Sequence, residues 1–158
     1  MISQIDKWIG RLLIWVSMGC FLVLFVLIGA NVANRVLKLG SMSWSDEIVE
    51  LTFAWTVFLG ATALWRRRQH FRADMLLLGL GEGRARIAAE VTLELLCVLF
   101  LVTFTWLSMS LLLAANDLSS VLGYPRRIWY APMPLAGLLM TLYSLRNLVT
   151  LSRGQVPG

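Results

Sequence analysis

Four long apolar stretches constrain the fold of this chain more than any other feature of its sequence. They cover residues 12–33, 48–65, 91–115 and 128–145. At about 1.5 Å per helical residue, each has roughly the length needed to cross the ~30 Å hydrocarbon core of a bilayer. A backbone inside lipid must satisfy its own hydrogen bonds, and no stretch alternates with period two. We therefore predict four transmembrane helices.

The composition favours a membrane protein and argues against two other classes. Hydrophobic residues make up 58% of the chain and charged residues 15%, which leaves too little polar surface for a soluble domain of this size. The net charge of +5 does not indicate a nucleic-acid partner, because the basic residues cluster between the apolar stretches instead of along one face. The expected surrounding of the chain is therefore the lipid bilayer.

These patterns predict an all-α integral membrane protein that forms a single membrane domain over residues 1–158. The helices are expected over residues 9–34, 45–66, 87–116 and 128–150. Between the second and third helices, an apolar segment over residues 70–80 is too short to cross the bilayer. We expect it to lie along the membrane surface.

The basic residues predict how the helices are oriented. Most of them lie at the two ends of the chain and in the connection between helices two and three: Lys7, Arg11, Arg66, Arg67, Arg68, Arg72, Arg84, Arg86, Arg146 and Arg153. The other two connections hold only Arg35, Lys38, Arg126 and Arg127. Because basic loops stay in the cytoplasm, both termini are expected there. The residues predicted to form the cytoplasmic loop and its anchor are Arg66, Arg67, Arg68, His70, Arg72 and Asp74.

The amphipathic aromatic residues fit the same orientation, since their rings favour the boundary between lipid and water. The residues expected at the inner boundary are Trp8, Trp15 and Trp65. Those expected at the outer boundary are Trp44, Tyr124, Trp129 and Tyr130.

The sequence offers little for catalysis. Cys20 and Cys97 are isolated, so the paired cysteines of disulfide exchange are missing. His70 is the only histidine, so one chain cannot ligate a haem with two histidines. No serine has a histidine and a carboxylate at a suggestive spacing. We therefore predict neither an enzyme nor a metal or cofactor site in this chain.

Two pairs of glutamates lie within the predicted helices, where an ionisable residue suggests a function. Glu47 and Glu50 lie one turn apart near the outer end of helix two, and Glu90 and Glu94 near the inner end of helix three. One interpretation is a proton or sodium relay. The other is that each pair meets water or an arginine at the nearby interface. We favour the second, because coupling-ion sites are normally near the bilayer midplane and neither pair lies there.

The second interpretation names partners for the two deeper glutamates. Glu50 is expected to reach Arg35 or Arg127, and Glu94 is expected to reach the basic cluster at 66–72.

Helix two has two faces that suit contacts with protein. At about 100° per residue, one face carries Glu47, Glu50, Ala54, Phe58 and Ala61, and nearly the opposite face carries Thr52, Thr56 and Gly60. Small residues spaced by four let helices approach closely. Two explanations remain open: the four helices use these faces on one another, or a further membrane partner covers one of them.

The stretch from Trp44 to Asp74 resembles a known family. It contains Trp44-Ser45-Asp46-Glu47, then Phe53-Ala54-Trp55, then Phe58-Leu59-Gly60-Ala61, and finally His70 and Asp74 after the basic residues. This pattern, with four helices and both ends inside, is similar to the small membrane subunit of tripartite ATP-independent periplasmic (TRAP) transporters, the DctQ-like family.

The resemblance implies a function that composition does not reveal. The small subunit of this family pairs with a large multi-helix membrane subunit, which carries the substrate and sodium sites. It acts as a fixed scaffold in the bacterial cytoplasmic (inner) membrane, while a periplasmic substrate-binding protein delivers an organic acid. The resemblance therefore implies sodium-driven uptake, with the sodium bound in the partner subunit and no cofactor in this chain.

Two surfaces are predicted on this basis. The candidates for contact with the large subunit are Trp44, Glu47, Glu50, Ala54, Phe58, Gly60 and Ala61. The candidates for docking of the binding protein are Arg35, Lys38, Asp46, Asp117, Arg126 and Arg127, which lie in or beside the outer connections.

The alternative function is an autonomous four-helix exporter that exchanges protons for drugs. Such proteins depend on a carboxylate in the first helix, and residues 12–33 contain none. The scaffold subunit is therefore the preferred interpretation.

Overall fold

The computed structural model describes residues 2–38, 40, 43–66 and 84–152. The described chain is helical almost throughout: α1 (Ile2–Leu37), α2 (Ser43–Arg66), α3 (Arg84–Ala114), the short α4 (Arg127–Tyr130) and α5 (Pro132–Ser152). Four segments are long and apolar enough to cross a membrane, namely Asp6–Leu37, Ser43–Arg66, Ala88–Ala114 and Arg127–Leu151. The prediction of an all-α protein with four transmembrane helices is confirmed.

The boundaries of the helices differ from those expected. α1 is longer than the predicted 9–34, and α3 begins and ends earlier than the predicted 87–116. The fourth span is two helices instead of one, and they meet at Ala131. Pro132 lacks the backbone N–H that would continue α4, which explains the break. The predicted surface segment, residues 70–80, lies outside the described residues.

α1 packs along α2 through one narrow face. The residues of α1 that are buried or half-buried on this face recur in steps of four and three: Asp6, Gly10, Leu13, Ser17, Cys20, Leu24, Leu27, Asn31 and Asn34. A repeat of 3.5 residues is typical of helices that cross at about 20° and interdigitate. Three of these residues, Gly10, Ser17 and Cys20, are small, so the two backbones can approach closely beside them.

The approach is closest beside the middle of α2. The Ser17 hydroxyl donates a hydrogen bond of 3.1 Å to the carbonyl oxygen of Thr56. A Cβ atom added at Gly60 would lie 3.2 Å from the Ser17 oxygen. The stripe that contains Thr56 and Gly60 therefore serves contact between helices of this same chain.

The other side of α2 packs against α5 and α3. Leu101, Ala136 and Met140 form a buried cluster, and Phe58, Ala61 and Trp65 of α2 pack against it. The rings of Phe58 and Phe104 stack with centroids 6.0 Å apart. α2 is thus a central helix of the bundle, with α1 on one side and α5 on the other. α3 packs against α5 and meets α2 through long side chains such as Phe104.

The contact between α3 and α5 depends on Gly137. A Cβ atom at this position would collide with the side chain of Thr105 and lie 3.1 Å from the Phe104 ring. Thr105 has little freedom to move, because its hydroxyl already donates a 2.7 Å hydrogen bond to the carbonyl oxygen of Leu101. Gly137 therefore sets the distance between the two helices.

We predict that Gly137→Ala lowers the stability of the bundle. The added methyl group overpacks a tight contact, which typically costs about 1–3 kcal/mol, more than the helix propensity that alanine gains. Thermal unfolding of the purified chain in detergent, followed by circular dichroism, measures the effect. Gly29→Ala on α1 is the matched control, since its Cβ meets nothing within 4 Å. Equal unfolding midpoints for the two variants would contradict the prediction.

Candidate functional site

Glu47 fixes the loop over residues 115–126 to the start of α2. We call this end of the bundle the outer end and the opposite end the inner end, after the orientation predicted from the sequence. The Glu47 carboxylate accepts a 2.7 Å hydrogen bond from the Ser119 hydroxyl and 3.0 Å hydrogen bonds from the backbone N–H groups of Val121 and Leu122. The residue is only 8% exposed. A carboxylate that accepts several hydrogen bonds in a buried position holds its donors firmly. We name this arrangement the Glu47 clamp.

The loop is shaped to supply those donors. The N–H of Ser119 donates to the carbonyl oxygen of Tyr124 at 2.8 Å, and Leu118 and Pro125 form an isolated antiparallel bridge. Gly123 closes the turn with a φ of 69°, which glycine adopts without strain. Successive backbone N–H groups in such a turn form a concave site for an anion. Here the chain fills that site with its own glutamate.

Trp129 strengthens the same region from α4. Its indole N–H donates a 3.1 Å hydrogen bond to the backbone carbonyl of Glu47, and the side chain is 4% exposed. The sequence predicts a ring at the lipid boundary, and the structure shows that this ring faces the protein interior. The indole ring is buried because α4 packs against the outer end of α2.

Two further contacts tie the helices together at the outer end. The Ser45 hydroxyl donates a 2.9 Å hydrogen bond to the side-chain oxygen of Asn31, which joins the start of α2 to α1. The guanidinium of Arg127 donates to the Ala115 carbonyl at 2.8 Å and to the Asn116 side chain at 2.6 Å. Arg127 thus links α4 to the end of α3.

The inner end of the bundle is held by Asp6. The Arg66 guanidinium donates to both carboxylate oxygens of Asp6, at 3.0 and 2.9 Å. The Tyr143 hydroxyl donates to the same carboxylate at 3.1 Å, and Arg146 lies 3.9 Å from it. This cluster joins α1, α2 and α5. It also shows that the two described ends of the chain lie at the same end of the bundle.

Arg66 reaches Asp6 across Gly10. A Cβ atom at Gly10 would occupy the space of the Arg66 guanidinium. A bidentate pairing of this kind has a fixed geometry, which lysine would not reproduce. Arg66, predicted as part of the cytoplasmic anchor, therefore has a second role as a link between helices.

The glutamates of α3 have local partners. Glu90 is 7% exposed and accepts a 3.3 Å hydrogen bond from Arg86, one turn away. Glu94 accepts a 3.4 Å hydrogen bond from the side chain of Asn147 on α5. Arg66, the described member of the basic cluster expected to reach Glu94, pairs with Asp6 instead.

One stripe of α2 is covered by no other described helix. Its exposed members recur in steps of about 3.5 residues: Asp46, Glu50, Phe53, Val57 and Leu64. Phe53 is 58% exposed, which is high for a large apolar residue in the central helix. We name this surface the open stripe. It begins at the outer end of α2 and runs past its midpoint.

Glu50 lies on the open stripe and has no donor within residues 2–38, 40, 43–66 and 84–152. The expected pairing with Arg35 or Arg127 is wrong for this part of the chain. Glu47 and Glu50 are three positions apart, so their side chains share one broad face of α2 but point about 60° apart. One is enclosed by the loop and the other faces outward.

The predicted large-subunit residues thus divide into two groups. Trp44 and Glu50 are exposed. Glu47 is buried beneath its own loop, and the members that are half-buried against neighbouring helices are Ala54, Phe58, Gly60 and Ala61. Trp44 and Glu50 are therefore the most accessible of the predicted residues in the described chain.

The predicted docking residues all lie at the outer end of the bundle. Arg126 is half-buried, and the exposed members are Arg35, Lys38, Asp46, Asp117 and Arg127. Arg35, Lys38 and Asp46 also line an open depression between α1 and α2. The loop residues predicted for cytoplasmic anchoring that lie outside the described part of the chain are Arg67, Arg68, His70, Arg72 and Asp74.

Several residues that hold the two ends were not identified from the sequence. Asp6, Ser119 and Tyr143 gave no signal, because their partners lie 60 or more positions away. Within the described ranges, no group of three or more histidine, cysteine, aspartate or glutamate residues is placed to hold a metal ion.

The chain matches the profile of a known family. The profile of the family described as tripartite ATP-independent periplasmic transporters, DctQ component, matches residues 24–154. The match runs from the last part of α1 through the end of α5 and includes the Glu47 clamp and the open stripe. No curated protein matches the chain significantly.

We predict that Glu47→Ala releases the outer loop. Hydrogen bonds to a charged group contribute about 1.5–3 kcal/mol each, so exchange of the Val121 and Leu122 amides should accelerate roughly 10- to 100-fold. Hydrogen–deuterium exchange of the detergent-solubilised chain measures this over residues 116–126. Glu50→Ala serves as the control, because Glu50 makes no contact with the loop. If the two variants exchange equally, the clamp does not hold the loop.

Proposed function

The chain belongs to the family of the DctQ component of TRAP transporters, and on that premise we propose that it is the small scaffold subunit of a sodium-driven importer of organic acids. It is a multi-pass membrane protein and a transporter component. In the proposed complex, the large membrane subunit binds sodium and substrate, and a periplasmic binding protein delivers the substrate. The scaffold stabilises the large subunit.

The observation that carries the scaffold role is the way α2 is held at both ends. The Glu47 clamp fixes its outer end to the loop over 119–122, and Asp6 fixes Arg66 at its inner end. α1 packs on one side of this helix and α5 on the other, and α3 packs against α5. A helix restrained in this way suits a static support and does not suit a moving element.

The polar groups within the spans support the same proposal. Thr62 and Ser144 are fully buried and make hydrogen bonds, Thr62 to the carbonyl of Phe58 and Ser144 from the indole of Trp65. The described carboxylates of the spans lie toward the helix ends and not at their centres. Coupling-ion sites are normally built at the midplane from broken helices. We therefore assign solute movement to the partner subunit.

The outer end of the bundle is the surface that we propose for the binding protein. Its exposed charged residues include Arg35, Lys38 and Asp117. The Glu47 clamp holds the neighbouring loop, which presents Val121 and Tyr124 to the surroundings. A rigid loop loses little conformational freedom on binding, which favours recognition of a second protein.

This assignment requires both termini to be in the cytoplasm of the bacterial cell, beneath its cytoplasmic membrane. The distribution of basic residues supports that orientation, and the Asp6 cluster brings the described ends of the chain together.

We expect a fluorescent protein fused to either terminus to be bright, because it folds on the cytoplasmic side. An alkaline phosphatase fused after Gly123 should be active, because that loop is assigned to the periplasm. The matched control is alkaline phosphatase at the C-terminus, which should be inactive. Reversed activities of the two phosphatase fusions would contradict the orientation.

The transport function is tested in vesicles. We expect sodium-gradient-driven uptake, measured with a panel of radiolabelled dicarboxylates and sugar acids, when the chain, the large subunit and the binding protein are present together. Omission of the chain should reduce uptake strongly, since the large subunit loses its support. Vesicles with the chain alone should show none. Solute flux through the chain alone would contradict the scaffold role and favour the autonomous exporter.

A further inference from the structure

Glu50 is exceptional among the carboxylates of the described spans. The others have a donor within the chain: Asp6 has Arg66, Asp46 has Asn31, Glu47 has Ser119, Glu90 has Arg86 and Glu94 has Asn147. Glu50 has none in that part of the chain. An ionisable residue within a membrane span is costly and normally has a partner. The partner of Glu50 therefore has to come from outside the described helices.

The depth of Glu50 favours a protein partner over water. Glu50 lies six residues beyond Trp44, which places it about 9 Å further along the helix axis. Trp44 is exposed and has the character of an interfacial residue. A glutamate side chain is too short to span that distance back to the boundary. With Trp44 at the lipid boundary, as the sequence predicts, Glu50 falls within the outer part of the hydrocarbon, where an unpaired charge is unfavourable.

The surroundings of Glu50 resemble the centre of a helix interface. Phe53 and Val57 follow it on the open stripe, one and two turns further in, and both are exposed. No other described helix covers these side chains, so a helix of another subunit can pack along them.

We propose that the open stripe is the surface that receives the large subunit, and that Glu50 pairs with a lysine or arginine which the large subunit presents at this depth. This inference rests on the proposed function and specifies its interface. Charge complementarity selects the partner: an acidic group enclosed among apolar residues requires a cation or a strong donor. The pair fixes the vertical position of the two subunits relative to each other.

The test is co-purification of the large subunit with the tagged chain. Glu50→Lys places like charges together, and we expect the yield of the pair to fall roughly tenfold or more. Glu50→Gln keeps the shape and one acceptor, so its yield should fall less. Size-exclusion chromatography of each variant alone confirms that it remains folded.

The control places the same charge at a comparable depth on another helix. Ser45 of α2 contacts Asn31 of α1, so these two residues lie at the same depth. Glu50 lies five residues inward of Ser45, and Val26 lies five residues inward of Asn31. Val26 is 58% exposed. Val26→Lys should leave the yield close to that of the unmodified chain. An equal loss for Val26→Lys and Glu50→Lys would overturn the proposal.

Rescue identifies the partner residue. In the Glu50→Lys background, each lysine or arginine of the large subunit at the corresponding depth is changed to glutamate in turn, and one change should restore the yield. If none of these changes restores the yield, which is the result expected when a lipid amine pairs with Glu50, the proposal is overturned.

The proposed function and this inference fail in different ways. If the unmodified chain does not capture the large subunit, the proposed function is contradicted. If the unmodified chain captures the large subunit and the Glu50→Lys variant captures it with the same yield, only this inference is contradicted.

Discussion

Hydrocarbon offers no hydrogen bonds, and the rest of this structure follows from that constraint. Hydroxyl groups within the spans turn back to their own helix, as Thr52 does to Ile48, Thr62 to Phe58 and Thr141 to Gly137. Such bonds satisfy the hydroxyl locally and leave the helix surface smooth. Glu90 pairs with Arg86 one turn away on its own helix, but the other described carboxylates of the spans have no such partner within one turn. They therefore gather near the helix ends, where a second element can supply donors.

That constraint explains why the two ends of α2 are built differently. At the outer end the donors are backbone N–H groups of a turn, so the Glu47 clamp needs only a glutamate and a loop of suitable shape. At the inner end the donors are side chains, and Asp6 gathers Arg66 and Tyr143 from two other helices. The first arrangement positions a loop, whereas the second positions helices. Together they hold the central helix without any charge at its middle.

Hydropathy alone predicts the fold, because a span must be apolar and about twenty residues long. The same reasoning locates Thr56 and Gly60 on a contact face, since helical periodicity is a local property. It fails for Glu47, whose donors are more than seventy positions away, and for Asp6, whose partner Arg66 is sixty positions away. Nothing in the local sequence ties these residues together. It also fails for Trp129. Tryptophan generally favours the boundary between lipid and water, but this side chain is buried because α4 packs it against α2.

The contrast between Glu47 and Glu50 connects the packing to the function. The helical periodicity of the sequence places both residues on one broad face of α2. In the structure this face has a buried part, which contains Glu47, and an exposed part, which contains Glu50. Side chains three positions apart on a helix differ in direction by about 300°, which equals about 60° measured the other way round the helix axis. That difference moves Glu47 under the loop and leaves Glu50 on the open stripe. Folding of the chain alone explains the first carboxylate completely. Among the described residues the second carboxylate has no donor, and the neighbouring subunit of the proposed assembly would supply one.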